Sequence, residues 1–223
     1  CCSRMKTTAL AFALLFSTCA DASSVTLKEI AERNPRTTVG HEVVGAKDRS
    51  RFPGWREAVE RARADTDRAA ECAASRTCDA GGPLGEALAA AKSSRGLERR
   101  RKVNAIANSA PYVTDPDPRD LWRGPRELYR NGGDCEDFAL AKMSVLERSG
   151  VPVENMRIVV VDHAYRAALH AVLEIDTRDG PVVLDSLSDI VLPSSDYERL
   201  YEPKWMLKPD EGAIRLRATG KGD

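Results

Sequence analysis

A cysteine that lies between acids is the part of this sequence best suited to chemistry. Cys135 stands in the stretch "GDCED", directly after Asp134 and before Glu136 and Asp137. Neighbouring carboxylates raise the pKa of a thiol and so oppose formation of the nucleophilic thiolate. A bound cation would reverse that penalty, and clustered carboxylate oxygens are ligands that calcium selects. We therefore predict a nucleophile, Cys135, fused to a cation site.

A base for this thiol is predicted on a later strand. His170 lies in "LHAVLEID", residues 169–176, where alternate residues face opposite sides, and Asp185 lies in "PVVLDSL", residues 181–187. A carboxylate beside a histidine holds one ring nitrogen and leaves the other free to take a proton from a thiol. This pattern favours a triad of Cys135, His170 and Asp185.

The distance between His170 and Asp185 depends on the register of a hairpin, for which Asp179-Gly180 is a strong signal. A four-residue loop, 176–179, places His170 directly opposite Asp185, whereas a two-residue turn at 179–180 places Glu174 there. Every loop of even length leaves His170 and Asp185 on one face, and an odd loop or a bulge would separate them.

Other interpretations of these residues stay open. His170 could be a core histidine that a strand-end aspartate satisfies. His163 competes as a base, but it follows Asp162 and has no carboxylate set across from it. A zinc site is not favoured, because zinc ligands usually come in close pairs such as C-x-x-C, and the sequence has none.

The helix that would carry Cys135 has the clearest signals in the chain. Asp134 is a good N-cap, and Asp137 takes the place of the acid in a capping box. Gly150 ends the helix. Cys135 is then the first helical residue. Three apolar residues recur at helical spacing along one face: Ala139, Met143 and Leu146.

Other elements are predicted on both sides of this helix. One helix runs from Trp55 to about Cys72, and a second from Leu84 to about Ala110 breaks near Gly96. Little chemistry is expected after Ser194. Three strands follow the nucleophile's helix: 157–161, 169–176 and 181–187.

The first 22 residues predict a signal peptide. From Met5, one lysine and an apolar run precede Ala20-Asp21-Ala22, which fits a signal peptidase site. The run is too short for a stable membrane anchor, and residues 1–4 precede this plausible start. A buried N-terminal helix and a lipidated Cys19 are weaker alternatives. We expect a periplasmic protein.

Export changes the expected state of the cysteines. Cys72 and Cys78 have five residues between them and can close a loop in an oxidising compartment. Cys135 is then left over as a candidate reactive thiol, although composition alone favours an inert buried cysteine. The 34 basic and 34 acidic residues balance, and this gives no indication of a nucleic-acid partner.

The sequence resembles the bacterial transglutaminase-like cysteine peptidases, which include the LapG-type periplasmic proteases that release surface adhesins. The resemblance covers roughly residues 55–192 and is carried by "GDCEDFALAK", "HAVLEI" and "VVLDSL". The last motif has "LDSL" where "LDNL" is more usual. Upstream residues also match: Val103, Asn104, Asn108, Tyr112, Asp115, Trp122, Pro125 and Glu127.

This resemblance implies a papain-like, transglutaminase-like α+β fold. A helical part, about 55–150, would pack on an antiparallel sheet, about 156–192, within one domain at 23–208, before a polar tail at 209–223. It assigns Cys135 as nucleophile, His170 as base and Asp185 as orienting acid. Trp122 is expected to pack, with an oxyanion donor as the alternative. The resemblance also implies a Cys72–Cys78 pair and three calcium ligands: Asp134, Glu136 and Asp137.

The implied function is that of an exported cysteine endopeptidase acting on a protein, plausibly a surface adhesin. Transglutaminase or amidase chemistry on the same triad, and a non-catalytic calcium-binding module, are the alternatives. The expected cofactor is Ca²⁺, with no organic cofactor. The expected regulator is the periplasmic domain of a membrane receptor that senses a cyclic dinucleotide.

Overall fold

The described helices precede most of the strands, which follow the helix of Cys135 as predicted. The computed structural model describes residues 41–43, 48, 50–75, 82–116, 121–165 and 168–218. All of them belong to one compact unit, residues 35–223. The predicted signal peptide and Cys78 lie outside the described residues. Within the described part of the chain, no helix is both long and apolar enough to cross a membrane.

The described helices follow one another closely, and glycine or proline marks most of their starts. Gly96 has a φ of 54°, which breaks the predicted second helix into two pieces as expected. The short helix that begins at Pro125 was not predicted, although proline suits the first helical position. The helices are α1 (Trp55–Ser75), α2 (Pro83–Ser93), α3 (Gly96–Asn108), α4 (Pro125–Asn131) and α5 (Cys135–Arg148).

The strands form one antiparallel sheet in the order β1-β7-β6-β2-β3-β4-β5. The three predicted strands correspond to β2, β3 and β4. The bounds are β1 (His41–Val43), β2 (Met156–His163), β3 (Leu169–Ile175), β4 (Val182–Asp185), β5 (Ser188–Pro193), β6 (Tyr201–Lys208) and β7 (Gly212–Ala218). The prediction of an α+β fold with helices packed on an antiparallel sheet is confirmed.

The sheet extends past residue 192, where the sequence interpretation placed its end. The expected polar tail from residue 209 contains β7, which pairs with β6. Ile214 and Leu216 in β7 are buried while Arg215 and Arg217 are exposed, so alternate residues face the core. The arginines make this segment polar in composition, and they hide a strand that packs through its other face.

Helix α5 is buried along almost its whole length, from Glu136 to Leu146. The sequence predicted one apolar face, but other helices and the sheet surround α5 on all sides. Its buried apolar residues join a core with α1 and the inner face of the sheet. Burial of each large apolar side chain there is worth about 1.5–3 kcal/mol. This packing holds the first turn of α5 rigidly against the sheet.

The β3–β4 hairpin has neither of the two registers considered from the sequence. Leu173 pairs with Leu184 and Ile175 with Val182, so the connection is the six residues 176–181. The loop is of even length, and His170 and Asp185 therefore share a face, as predicted. That face packs on a second apolar cluster, which includes Val172, Tyr197 and Tyr201.

Candidate active site

Cys135 is the first residue of α5, as the sequence predicted. Asp134 is its N-cap, and Asp137 closes a capping box with the Asp134 backbone N–H, which donates to Asp137 Oδ2 at 3.2 Å. A Cβ on Gly133 would overlap the Asp137 carboxylate. Gly132 has a φ of 82°, and a Cβ there would overlap Pro111. The glycine pair therefore lets the chain turn tightly into the helix that carries the thiol.

His170 and Asp185 are in direct contact, with His170 Nε2 2.8 Å from Asp185 Oδ1. The Leu187 backbone N–H donates to the same oxygen at 2.9 Å, and the Tyr201 hydroxyl donates to Oδ2. Burial alone would raise the pKa of Asp185, but the hydrogen bonds from His170 and Tyr201 lower it below the ordinary value. Asp185 is therefore an ionised carboxylate that orients the imidazole.

The thiol of Cys135 lies beside the backbone that immediately follows His170. The Ala171 backbone N–H donates a hydrogen bond to the Cys135 sulfur. Because Nε2 of His170 is taken by Asp185, Nδ1 is the ring nitrogen left to exchange a proton with a thiol. The three elements that the sequence placed apart, α5, β3 and β4, thus meet at one point.

The surroundings of the Cys135 thiol disfavour its ionisation, as the sequence suggested. Burial is the largest cause that raises its pKa above the ordinary range, and the Glu136 carboxylate adds to it. The thiol lies 3.4 Å from Glu136 Oε2. The Ala171 N–H works in the opposite direction. A positive charge near Glu136 would relieve the main electrostatic part of this penalty.

An acidic group that could hold a cation lies next to the thiol, and its membership differs from the prediction. Asp115, Asp134 and Glu136 each offer an oxygen within 4.8 Å of the others. Asp137 is not in this group. It accepts hydrogen bonds from the Arg123 backbone N–H at 2.6 Å and from Arg123 Nη1 at 2.9 Å. The predicted ligand Asp137 instead closes the capping box and pairs with Arg123, which also contacts Asp115.

The three acids fit a hard cation. Asp134 Oδ1 and Glu136 Oε1 are buried and have no hydrogen-bond partner among the described residues. Asp115 Oδ1 lies 2.5 Å from Arg123 Nη2. Burial and the close Asp134 carboxylate raise the pKa of Glu136 well above its ordinary value. Buried carboxylate oxygens without partners are costly unless a cation or a proton compensates them. The donor set is one that calcium prefers.

Trp122 packs in an aromatic cluster. Its ring centroid lies 5.2 Å from that of Trp55 and 6.5 Å from that of Phe52, both at steep angles. The indole Nε1 is buried with no hydrogen-bond partner among the described residues. These contacts place Trp122 in the packing role expected for it.

Tyr112 contacts the Cys135 thiol. It is half exposed, its ring stacks on Phe138 at 6.0 Å, and its hydroxyl shares a hydrogen bond with Cys135. Burial and the nearby thiol raise the pKa of Tyr112 to about 12. Tyr112 was noted only as a motif residue in the sequence, because nothing in its spacing indicates contact with Cys135.

The remaining predicted residues lie away from this centre. Cys72 is disulfide-bonded, and Cys78, its predicted partner, lies outside the described residues. His163 accepts a hydrogen bond at Nδ1 from the Tyr165 backbone N–H at 3.2 Å and packs on Tyr201. Tyr201 was missed altogether by sequence reasoning, and Asp115, like Tyr112, was noted only as a matched motif residue. "LYEP" around Tyr201 carries no signal, whereas Asp115 could have been found as one more acid in the matched motifs.

Comparison with known proteins identifies a family and two similar solved structures. The family model of the bacterial transglutaminase-like cysteine proteinases matches residues 67–203. The calcium-bound structure of LapG from Legionella pneumophila is 29% identical, with a TM-score of 0.57, over 71% of this chain and 90% of that one. The EGTA-treated structure of LapG is 28% identical, with a TM-score of 0.57, over 70% and 87%. Among curated proteins, none matches the chain.

Proposed function

We propose that this chain, which belongs to the bacterial transglutaminase-like cysteine proteinases and is therefore a cysteine peptidase, cleaves an exported protein with Cys135, His170 and Asp185 as its triad. The observation that carries the proposal is the 2.8 Å contact between His170 Nε2 and Asp185 Oδ1, beside a thiol at a helix N-terminus. A histidine that a carboxylate holds in this way can act as a base toward a thiol. A histidine that only packed in the core would not explain why the Cys135 sulfur lies next to its backbone.

The proposed reaction begins when Nδ1 of His170 takes the proton of Cys135 and the sulfur attacks a peptide carbonyl carbon. The oxyanion lies at the N-terminus of α5, where the Cys135 backbone N–H and the helix dipole stabilise negative charge. His170 then gives the proton to the amide nitrogen, the C–N bond breaks, and a thioester remains. His170 next takes a proton from water, whose oxygen attacks the thioester carbon. The C–S bond breaks, and the sulfur regains its proton from His170.

Calcium is the proposed cofactor of this site. Asp115, Asp134 and Glu136 would hold it, and it would supply positive charge beside Cys135 and neutralise the three acids. The Legionella pneumophila LapG structures are described as calcium-bound and EGTA-treated. For this chain, the buried and unpartnered oxygens of Asp134 and Glu136 support the assignment.

The substrate and the regulator are proposed from the predicted export and from the resemblance to LapG-type proteases. A periplasmic enzyme of this kind acts on an adhesin that is exposed to it, and the periplasmic domain of a cyclic-dinucleotide receptor binds and inhibits the enzyme. The half-exposed Tyr112 and Leu169 lie next to Cys135 and His170, so an extended chain can reach the thiol from solvent.

The proposal is tested by adding purified protein to cells of the source organism from which its gene has been deleted. With calcium present, the wild type should release one large surface protein whose new terminus is found by mass spectrometry. Cys135→Ala should bind the same protein without releasing it. If wild type and Cys135→Ala give the same supernatant, the chain is not a peptidase acting at the cell surface. A product joined to an added amine would instead indicate transglutamination.

A further inference from the structure

Tyr201 makes a contact in the triad that the mechanism above does not use. The residue is 7% exposed, and its hydroxyl donates to Oδ2 of Asp185. The other oxygen of the same carboxylate, Oδ1, receives His170 Nε2 and the Leu187 backbone N–H. Both oxygens of the Asp185 carboxylate therefore accept hydrogen bonds, two at Oδ1 and one at Oδ2. The carboxylate cannot rotate without breaking at least one of them.

The ring of Tyr201 is itself held in place. It stacks on Tyr197 with centroids 5.1 Å apart and planes within 10°, and it lies 5.7 Å from the His170 ring. Tyr201 begins β6, which pairs with β2, and β2 in turn pairs with the strand of His170. A hydroxyl on such a rigid ring is already aimed at Asp185, so little conformational entropy is lost in making the bond.

Loss of the Tyr201 hydroxyl would mainly change the hydrogen bonding of Asp185. Asp185 is 1% exposed, so water would not readily replace the missing donor, and Oδ2 would be left unpaired. The Tyr201 hydrogen bond is also one of the interactions that lower the pKa of Asp185. Without the Tyr201 hydroxyl, Oδ2 no longer anchors the carboxylate, which can then rotate and break the contact between Oδ1 and His170 Nε2.

Resting on the proposed triad, we propose that Tyr201 is a positioning residue for catalysis. Its hydroxyl fixes the Asp185 carboxylate so that Oδ1 stays on His170 Nε2 and Nδ1 stays directed at the thiol. This residue lies on β6, a strand that contributes no member of the triad.

The test compares Tyr201→Phe with Tyr197→Phe, both with calcium chloride in excess. The two variants each lose one hydroxyl from the same stacked pair, but only Tyr201 donates to Asp185. The probe is the second-order rate at which iodoacetamide alkylates Cys135. Tyr201→Phe should be alkylated at least about tenfold more slowly than wild type, since a hydrogen bond to a charged group is worth about 1.5 kcal/mol or more. Tyr197→Phe should keep the wild-type rate. Equal rates for Tyr201→Phe and Tyr197→Phe would overturn the proposal.

A spectroscopic readout separates positioning from loss of stability. In a Cys135→Ala background, the Nε2 proton of His170 should give a far-downfield proton resonance, which Tyr197→Phe retains and Tyr201→Phe shifts or loses. An unchanged resonance in Tyr201→Phe contradicts the proposal. If Tyr201→Phe does not fold, the Tyr201 hydroxyl proton is measured in the protein that keeps both tyrosines. A Tyr201 hydroxyl proton that exchanges rapidly with water would contradict the proposal. Failure of the triad itself is distinguishable, because wild type would then react no faster than glutathione.

Discussion

Arg123 and Asp137 form a buried ion pair at the first turn of α5, the helix that carries the nucleophile. Arg123 Nη1 lies 2.9 Å from Asp137 Oδ2, and the side chain of Asp137 has no exposed surface. Arg123 Nη2 reaches Asp115 on the other side. Burial raises the pKa of Asp137 to about 6, and the two Arg123 contacts limit that rise. One arginine thus separates a structural acid, Asp137, from a candidate cation ligand, Asp115.

This division predicts different consequences for two matched substitutions. Asp115→Asn should weaken calcium binding by at least about tenfold, because an amide oxygen carries no net charge. Asp137→Asn should leave calcium affinity within a few fold and cost about 3 kcal/mol of stability, because it removes the buried Arg123–Asp137 ion pair and weakens the capping box. Isothermal titration with calcium and urea unfolding measure the two effects. Loss of calcium binding in Asp137→Asn alone would restore Asp137 as the ligand.

Removal of calcium should destabilise the protein. Without a cation, Asp134 and Glu136 oppose each other in a buried site, so a chelator should lower the Tm and the rate of Cys135 alkylation. Calcium at about 100 times its Kd should return roughly 2.7 kcal/mol of stability. The measurement is a thermal melt in EGTA and after calcium is restored. Glu136→Gln is the matched control, in which the shift should be smaller. Identical melts with and without EGTA would remove the site.

Asp185 and Asp162 offer a matched test of which histidine is the base. Asp185→Asn should slow alkylation of Cys135 by at least about a hundredfold, because the amide cannot stabilise the imidazolium of His170. Asp162→Asn, next to the rival His163, should leave the rate unchanged. Rates are measured with iodoacetamide at neutral pH. A slow Asp162→Asn and a fast Asp185→Asn would identify His163 as the base.

Lys142 predicts a specific pH dependence of stability. It is fully buried on α5, its Nζ has no hydrogen-bond partner among the described residues, and burial lowers its pKa to about 7 from an ordinary value of 10.5. The folded state therefore binds fewer protons than the unfolded state between these values. The penalty is complete below pH 7 and declines as the pH rises toward 10.5, so stability should rise there.

Lys142→Met isolates this contribution, because it keeps most of the side-chain volume and removes the charge. The variant should be more stable than wild type by a few kcal/mol at pH 6, and the difference should shrink by pH 10. Urea unfolding of both proteins across this range measures it. A difference that does not change with pH would mean that Lys142 has the same pKa in the folded and unfolded protein.

The start of α5 could be read from the sequence because its signals are local. The N-cap Asp134, the capping acid and the following apolar residues act within a few positions, and the helix begins where they predict. The shared face of His170 and Asp185 also followed from local rules, since side chains alternate along any strand and every even loop keeps the two in phase. The sulfur, the ring and the carboxylate were therefore identifiable without a structure.

Three features depended on tertiary structure: the register of the β3–β4 hairpin, the acids that could hold a cation, and the contribution of β6 to the site. The loop between β3 and β4 has six residues because Asp176 and Pro181 belong to it and not to the paired strands. No local signal in the sequence specifies that length. Asp137 is occupied by Arg123, 14 positions earlier, and Tyr201 reaches Asp185 from 16 positions away. Such contacts are set by the packing of α5 and β6 around one core. Sequence alone thus determined which groups could do chemistry, and long-range packing decided which partners each group has.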